Sequence, residues 1–192
     1  FEYYKKAGVE KIVCEEKHMG SRAVVVICKD NEAALNSFGL ETTIPGVCYT
    51  RTGRNFFNDE ELESEFINRI NKALTKSNFW DDFETDWVCL DCELMPWSAK
   101  AQTLLSNQYA AVGSASKNAL TEAISVLGTA KERLKDVEYL LEKFSNKKEA
   151  SDAFIKSYRK YCWEVDGLEG YKLAPFHIMA TEGKTWLDKD HE

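Results

Sequence analysis

One stretch of this sequence constrains the fold more than any other. From about residue 100 to residue 165 the chain contains no proline and is rich in Ala, Lys, Glu and Leu. Leucines recur there every seven residues with small or apolar residues between them, a pattern typical of packed helices. The leucines are Leu120, Leu127, Leu134 and Leu141, and the residues between them are Ala123, Ala130, Val137 and Phe144.

Two helical arrangements fit this repeat, namely a self-standing coiled coil and a helical hairpin or small bundle. We favour the hairpin, in which a long helix over the repeat packs against a second helix of residues 149–165. The second helix would make this contact through Ala153, Phe154, Tyr158 and Tyr161.

The sequence on both sides of the helical block favours strands. The runs "KIVCEE" and "RAVVVICKD" flank Gly20, a third strand is expected from Val47 to Arg51, and "DWVCLDCELMPW" and "YKLAPFHIMA" complete the set. Residues 58–78 predict an amphipathic helix that Asn58 or Asp59 caps. Its apolar residues at helical spacing are Leu62, Phe66, Ile67, Ile70 and Leu74. The chain therefore predicts an α+β fold: a core over residues 1–100, a helical insert over 101–165, and a return to the core over 166–192.

Charge and cysteine content narrow the function. The formal net charge is −7 and the pI about 5.2, so any contact with nucleic acid must use a local groove rather than a broad basic surface. No apolar run reaches the roughly 18 residues of a membrane helix, so no membrane partner is expected. The six cysteines follow no framework spacing and several lie in apolar runs, which favours a reducing, cytoplasmic setting. The chain begins with Phe1 without a signal peptide, and we interpret it as a piece of a longer protein.

The segment "EEKHMGSR" around Lys17 has the composition of a nucleophilic site. A lysine that acts as a nucleophile needs its neutral amine, which burial between strands or a nearby cation such as Arg22 would favour. If the segment is a strand, Glu15 and Lys17 share one face, and His18 points to the other face, where we expect a packing role. Taken alone, the segment is a weak signal for a nucleophile and favours the alternative, a cluster of solvated charges at a hairpin.

Four elements in order strengthen the nucleophilic interpretation. "EEKHMGSR" resembles the Glu-x-Lys-x-Asp-Gly-x-Arg motif of the covalent nucleotidyltransferases, which include nucleic-acid ligases and mRNA capping enzymes. "VCYTRTGRNFF", "WVCLDCELMPW" and "YKLAPFHIMA" resemble the elements that follow it in that family. Met19 stands where most of the family has Asp. "KHMGSRAV" with "DCELMPWSAKAQ" closely resembles the ligase domain of bacterial polynucleotide kinase-phosphatase, an RNA-repair protein, over essentially the whole chain.

This resemblance implies a nucleotidyltransferase core of mainly antiparallel sheets, here incomplete, with an inserted helical module. It also implies an ATP-dependent RNA ligase that forms lysyl-AMP, transfers AMP to an RNA 5′-phosphate and seals the end with a 3′-hydroxyl. Magnesium, with manganese as an alternative, would neutralise the triphosphate, and its ligands stay unassigned. The implied site residues are Lys17 as nucleophile, Glu15 at the adenine edge, Gly20 beside the nucleotide, Arg22 on ribose or phosphate, Glu93 on a ribose hydroxyl, Phe176 stacked on adenine, and Arg51 on a phosphate of AMP or RNA.

Each of these residues also has a structural interpretation. Glu93 could be a strand-end acid, Phe176 a core aromatic and Arg51 a surface turn residue. Cys89 and Cys92 could form half a zinc site. A strand, however, sends their side chains to opposite faces, and no second pair accompanies them, so zinc is not expected.

Two later elements of the family are not recognisable in the sequence. These are a Glu-Gly-x-Val-x-Lys strand and a final strand with two lysines, which "LEGYKLAP" and "TEGKTW" match only in part. An alternative is therefore a non-catalytic fragment that docks an RNA-repair 2′-O-methyltransferase through its helical insert. Another is a capping enzyme that uses GTP. The resemblance further implies kinase and phosphatase domains in the same parent chain.

Overall fold

The computed structural model describes residues 1–189, and the chain divides into two compact units. One unit comprises Phe1–Glu93 and the segment from Leu173 onward, and the other comprises Leu94–Lys172. The last predicted core segment, 166–192, includes residues 190–192, which lie outside the described residues. The elements in chain order are α1 (Glu2–Lys6), β1 (Ser21–Cys28), α2 (Asn31–Phe38), β2 (Gly46–Thr50), α3 (Glu60–Lys76), α4 (Phe79–Asp82), β3 (Trp87–Met95), α5 (Ser98–Leu104), a π-helical segment (Leu105–Ala110), α6 (Ala111–Lys131), a 3-10 turn (Lys135–Val137), α7 (Glu138–Arg159), a 3-10 turn (Leu168–Gly170), β4 (Lys172–Thr181) and β5 (Lys184–Thr185).

A five-stranded sheet in the order β2-β1-β3-β4-β5 forms the framework, which confirms the predicted α+β class. Strands β1 and β2 pair antiparallel with Val25 opposite Cys48, and β4 pairs antiparallel with β5. In β1 and β3, buried residues alternate with more accessible ones, as expected for a sheet with one face on the core. The buried face of β1 presents Ala23, Val25 and Ile27.

Helix α3 covers the buried face and confirms the predicted amphipathic helix. It begins after Asp59, whose side chain accepts hydrogen bonds from the backbone N–H groups of Glu61 and Leu62. Ile67 is fully buried, and a Cβ added to Gly46 would lie 3.0 Å from its Cγ2 atom, so β2 and α3 are in direct contact. Glu63 is also buried, where its carboxylate accepts the Cys48 backbone N–H at 2.9 Å.

The predicted first strand, "KIVCEE", is wrong. Residues 9–19 form no regular element, and Val13 and Cys14 in this segment are exposed. Because β2 and β3 already occupy both sides of β1, the sheet offers no free edge beside β1 for another strand. The other predicted strands correspond to β1, β2, β3 and β4.

The helical unit is a hairpin of α6 and α7, as favoured over a coiled coil, but its break falls elsewhere than predicted. Leu134 has an extended backbone conformation and is 59% exposed, so the seven-residue repeat does not run along one helix. The sequence predicted one long helix here because the seven-residue spacing continues unchanged across the turn of residues 132–137. At the crossing of the helices, a Cβ added to Gly113 would lie 2.8 Å from Cγ1 of Ile155.

Candidate nucleotide site

Lys17 lies in the irregular segment that leads into β1, and its side chain is exposed. The expected burial between two strands is therefore not found. The strand-based assignment of Glu15 and Lys17 to one face and His18 to the other does not apply either, because residues 9–19 lack strand geometry. Lys17 lies beside Glu16 and His18 only because the three residues are consecutive in the chain.

A cleft of about 430 Å³ lies next to this segment. Phe176, at 37% exposure, presents an accessible aromatic ring to it. The cleft thus brings together Glu15 and Phe176, two of the residues predicted from sequence to contact adenine. Its lining consists of Glu15, Glu16 and His18 from the irregular segment and Leu173, Ala174, Pro175 and Phe176 from β4.

Glu93 ties β3 to the start of β1. Its Oε1 atom accepts the backbone N–H of Gly20 at 2.8 Å, although 73 residues separate the two. The Glu93 carboxylate has two oxygens with about four acceptor positions, so this bond leaves capacity for a ligand hydroxyl. Gly20 and Glu93 are therefore adjacent, as a shared site requires.

Arg22 makes a two-pronged ion pair with Asp91, a residue that the sequence analysis missed. Its Nε atom donates to Oδ1 at 2.8 Å and Nη2 donates to Oδ2 at 2.7 Å. The hydrogen bond and the charge of Asp91, with a smaller effect of Glu93, raise the pKa of Arg22 above its ordinary value. Two of the five guanidinium N–H groups are engaged in this way. The pair fixes the plane of the guanidinium and leaves the remaining N–H groups for a ligand.

The alternation of β3 could have revealed Asp91. Cys89, Asp91 and Glu93 alternate with the buried residues Leu90 and Cys92, so Asp91 shares its face with Glu93. The sequence does not show which strand lies beside β3. Strand β1 is its neighbour because of the order of strands in the sheet, which no local pattern reveals.

Arg51 lies in the turn that follows β2. The turn is closed by a hydrogen bond from the Thr50 N–H to the Arg54 carbonyl at 2.7 Å, and Gly53 has a positive φ of 76°. Arg51 is exposed. The structure therefore places Arg51 on an accessible turn.

Cys89 and Cys92 lie on opposite faces of β3, as the strand alternation predicts. Burial raises the pKa of the Cys92 thiol to about 12, which keeps it protonated at neutral pH. Within residues 1–189 no group of three or more His, Cys, Asp or Glu side chains could hold a metal ion.

Comparison with known families decides the assignment. The PNKP adenylyltransferase domain, ligase domain family matches this chain over residues 1–192. The chain belongs to this family.

Solved structures agree with the fold of this PNKP ligase domain family member. A chain of the "Pnkp1/Rnl/Hen1 complex" aligns with a TM-score of 0.51 and 15% identity, over 86% of this chain and 46% of that one. A chain of the "Pnkp1/Rnl/Hen1 RNA repair complex" aligns with a TM-score of 0.52 and 17% identity, over 98% of this chain and 52% of that one. The family member thus spans about half the length of the chains it matches. A search of curated proteins gave no match.

The helices of the described residues bear on membrane association. Along residues 1–189, no helix combines the length and the apolar character that crossing a lipid bilayer requires.

Proposed function

We propose that this chain is an ATP-dependent RNA ligase module for RNA repair that forms a covalent lysyl-AMP intermediate. The observation that carries the proposal is the pair of contacts between the start of β1 and β3, Gly20 with Glu93 and Arg22 with Asp91. These contacts join Gly20 and Arg22 to β3, which also carries Glu93, the residue that the proposal assigns to ribose. Family membership over the whole chain supports the same assignment.

The chemistry assigned to the chain proceeds in three displacements. Nζ of Lys17 attacks the α-phosphorus of ATP: a P–N bond forms, the α–β anhydride breaks, pyrophosphate leaves and the nitrogen gives up its proton to solvent. An oxygen of the RNA 5′-phosphate then displaces the lysine to give an AMP-capped end. An RNA 3′-hydroxyl finally displaces AMP and closes the phosphodiester.

The other site residues bind and orient the nucleotide in this proposal. Phe176 stacks on adenine across the cleft that Glu15 also lines, and Glu93 accepts a ribose hydroxyl with the acceptor positions that Gly20 leaves. Arg22 holds a ribose or phosphate oxygen in the orientation that Asp91 imposes, and Arg51 contacts a phosphate of AMP or of the RNA end. Magnesium, or manganese, would enter with the triphosphate and supply charge neutralisation there. No residue of this chain is assigned to it.

The test is transfer of label from α-³²P-ATP to the protein in magnesium, read on a denaturing gel. Label that survives denaturation, disappears in Lys17→Ala and persists in Lys11→Ala supports the proposal, since Lys11 is an exposed lysine of the same irregular segment. Label from GTP instead of ATP would favour a capping enzyme. If neither this chain nor a longer form of the protein takes up label, the ligase assignment is wrong.

A second candidate is a non-catalytic module that docks an RNA-repair 2′-O-methyltransferase through the helical hairpin. Exposed apolar side chains on the hairpin favour it, among them Val126 at 63% and Tyr139 at 68% exposure. The solved relatives come from a Pnkp1/Rnl/Hen1 RNA repair complex, which is consistent with such an assembly. Loss of partner binding in Val126→Ser and Tyr139→Ser, with unchanged ATP labelling, would support it.

The remaining expectations concern the setting of the protein. All six cysteines are free, and Cys28, Cys48 and Cys92 are buried, which supports a reducing, cytoplasmic location. Kinase and phosphatase domains in the same parent chain are proposed from family membership alone.

A further inference from the structure

Positive charge is concentrated in the helical unit of this acidic chain. The whole chain has a formal net charge of −7, whereas residues 94–172 contain twelve Lys and Arg residues against ten Asp and Glu residues. A polyanion that approaches this protein therefore meets the least repulsion on the helical unit. The question is whether the cations there form a defined surface.

Four of these cations surround one depression between α6 and α7. Its volume is about 390 Å³, and all four side chains belong to exposed residues. No ion pair within the described part of the chain engages any of the four. The lining, called here the basic groove, consists of Lys117 from α6 and Asp152, Ile155, Lys156, Arg159 and Lys160 from α7 and its end.

Asp152 does not neutralise the basic groove, because a fifth cation already occupies its carboxylate. Lys148, one turn earlier on α7, donates to Oδ2 of Asp152 at 2.9 Å. That hydrogen bond, with the charges of Lys148 and Lys117, holds the pKa of Asp152 below its ordinary value. The carboxylate is therefore ionised and paired at neutral pH, and the groove keeps its positive charge.

The crossing of the two helices holds the cations on one surface. Helices α6 and α7 touch at Gly113, where an added Cβ would lie 2.8 Å from Ile155. Lys117 follows Gly113 by one helical turn and so lies on the same face of α6. On α7, Ile155 and Arg159 are likewise one turn apart, as are Lys156 and Lys160. Cations from two helices thus line a single groove, whose lining includes one apolar residue, Ile155.

We propose that the basic groove binds the phosphodiester backbone of single-stranded RNA. This inference rests on the proposed RNA ligase function and assigns a second RNA contact to it, in the helical unit. Several cations spread over two helices match a row of phosphates better than one small anion, and the fork of Arg159 suits a phosphate oxygen pair. Cations that contact phosphates carry no sequence information, so binding in the basic groove should be independent of RNA sequence.

The test is fluorescence anisotropy of a labelled RNA of about 12 nucleotides with the whole chain at several salt concentrations. For single strands the salt slope is about −0.7 per neutralised phosphate, so loss of four contacts should reduce it by about 3. Four phosphate contacts correspond to a roughly 50-fold loss of affinity between 50 mM and 200 mM salt, and the groove variant should lack this part of the salt dependence that the wild-type chain shows. The groove variant carries Lys117→Gln, Lys156→Gln, Arg159→Gln and Lys160→Gln.

A matched control separates the groove from net charge. Arg133→Gln, Lys143→Gln and Lys147→Gln with Lys100→Gln remove the same charge from the helical unit outside the groove lining. Their affinity for RNA should stay within about 3-fold of the wild-type chain. Both variants should melt at the wild-type temperature and keep ATP labelling of Lys17.

Each outcome decides the proposal separately from the ligase assignment. Weak RNA binding in the groove variant alone supports it, even if no chain takes up label from ATP. Equal RNA affinity in the groove variant and the wild-type chain overturns it, as does an equal loss in the control variant. Binding of the wild-type chain to phosphatidylserine vesicles but not to RNA would assign the groove to a membrane surface and overturn it as well.

Discussion

The Gly20–Glu93 hydrogen bond allows a quantitative test of how β3 holds the start of β1. Glu93 Oε1 accepts the Gly20 N–H at 2.8 Å, and both residues are half-buried. A hydrogen bond to a charged group contributes about 1.5–3 kcal/mol, and access of water to both partners favours the lower end. Since about 1.4 kcal/mol corresponds to a factor of ten, Glu93→Ala should accelerate hydrogen exchange of the Gly20 amide about tenfold. Amide exchange measured by NMR on the ¹⁵N-labelled chain reads this rate directly.

A second carboxylate in the same unit supplies the matched control. Glu63 Oε1 accepts the Cys48 backbone N–H at 2.9 Å, so Glu63→Ala should accelerate exchange at Cys48 and leave Gly20 unchanged. Glu93→Gln keeps an acceptor oxygen and loses the charge, so its effect on Gly20 should be only about 3-fold. An unchanged Gly20 rate in Glu93→Ala, or an equal acceleration by Glu63→Ala, would refute the reasoning.

Three further predictions concern packing, the cross-strand ion pair and pH. Gly46→Ala should lower the free energy of unfolding, measured in urea melts, by about 1–3 kcal/mol, because the new Cβ would lie 2.5 Å from the Val26 carbonyl oxygen. A variant whose urea midpoint equals that of the wild-type chain would contradict this prediction. A double-mutant cycle of Arg22→Ala and Asp91→Ala should give a coupling free energy of about 0.5–1 kcal/mol after discounting for solvent, since 44% of the Arg22 side chain is exposed. Zero coupling would contradict a stabilising role of this ion pair. The Cys92 thiol, with its pKa raised from 9.0 to about 12, binds its proton more tightly in the folded chain than in the unfolded chain. Its contribution to the free energy of unfolding is therefore complete below pH 9 and is lost as the pH rises towards 12. Cys92→Ala should reduce this loss of stability at alkaline pH in urea melts, and an unchanged pH dependence would contradict the burial argument.

Local sequence patterns determined much of the fold. The spacing of Phe66 and Ile67 with the Asp59 cap predicts α3, because a helix with one apolar face and a satisfied first turn is stable wherever that face is buried. The β-branched run of residues 21–28 predicts β1 for a similar reason, since branched side chains suit a half-buried pleated surface. The motif residues around Lys17 also predicted the family to which the chain belongs.

Only the tertiary structure decided where the helical repeat breaks and which segments find a neighbouring strand in the sheet. A seven-residue repeat does not distinguish one long helix from two helices joined in phase, and the extended conformation of Leu134 separates α6 from α7. The apolar residues 12–14 within "KIVCEE" resemble a strand, yet a strand forms only where a neighbour offers free N–H and C=O groups. Strand β1, which follows this segment in the chain, is already flanked by β2 and β3, so residues 11–16 cannot form a hairpin with it.

At the candidate site too, the sequence shows the residue types, whereas only the structure shows which residues of neighbouring strands are in contact. The sequence by itself determined which residue types stand at Lys17, Gly20, Arg22 and Glu93, and the order of the elements that carry them. Only the tertiary structure decided that Arg22 pairs with Asp91, 69 residues away. Side-chain alternation along a strand is written in the sequence with a period of two, whereas the identity of the adjacent strand depends on the order in which the whole sheet assembles.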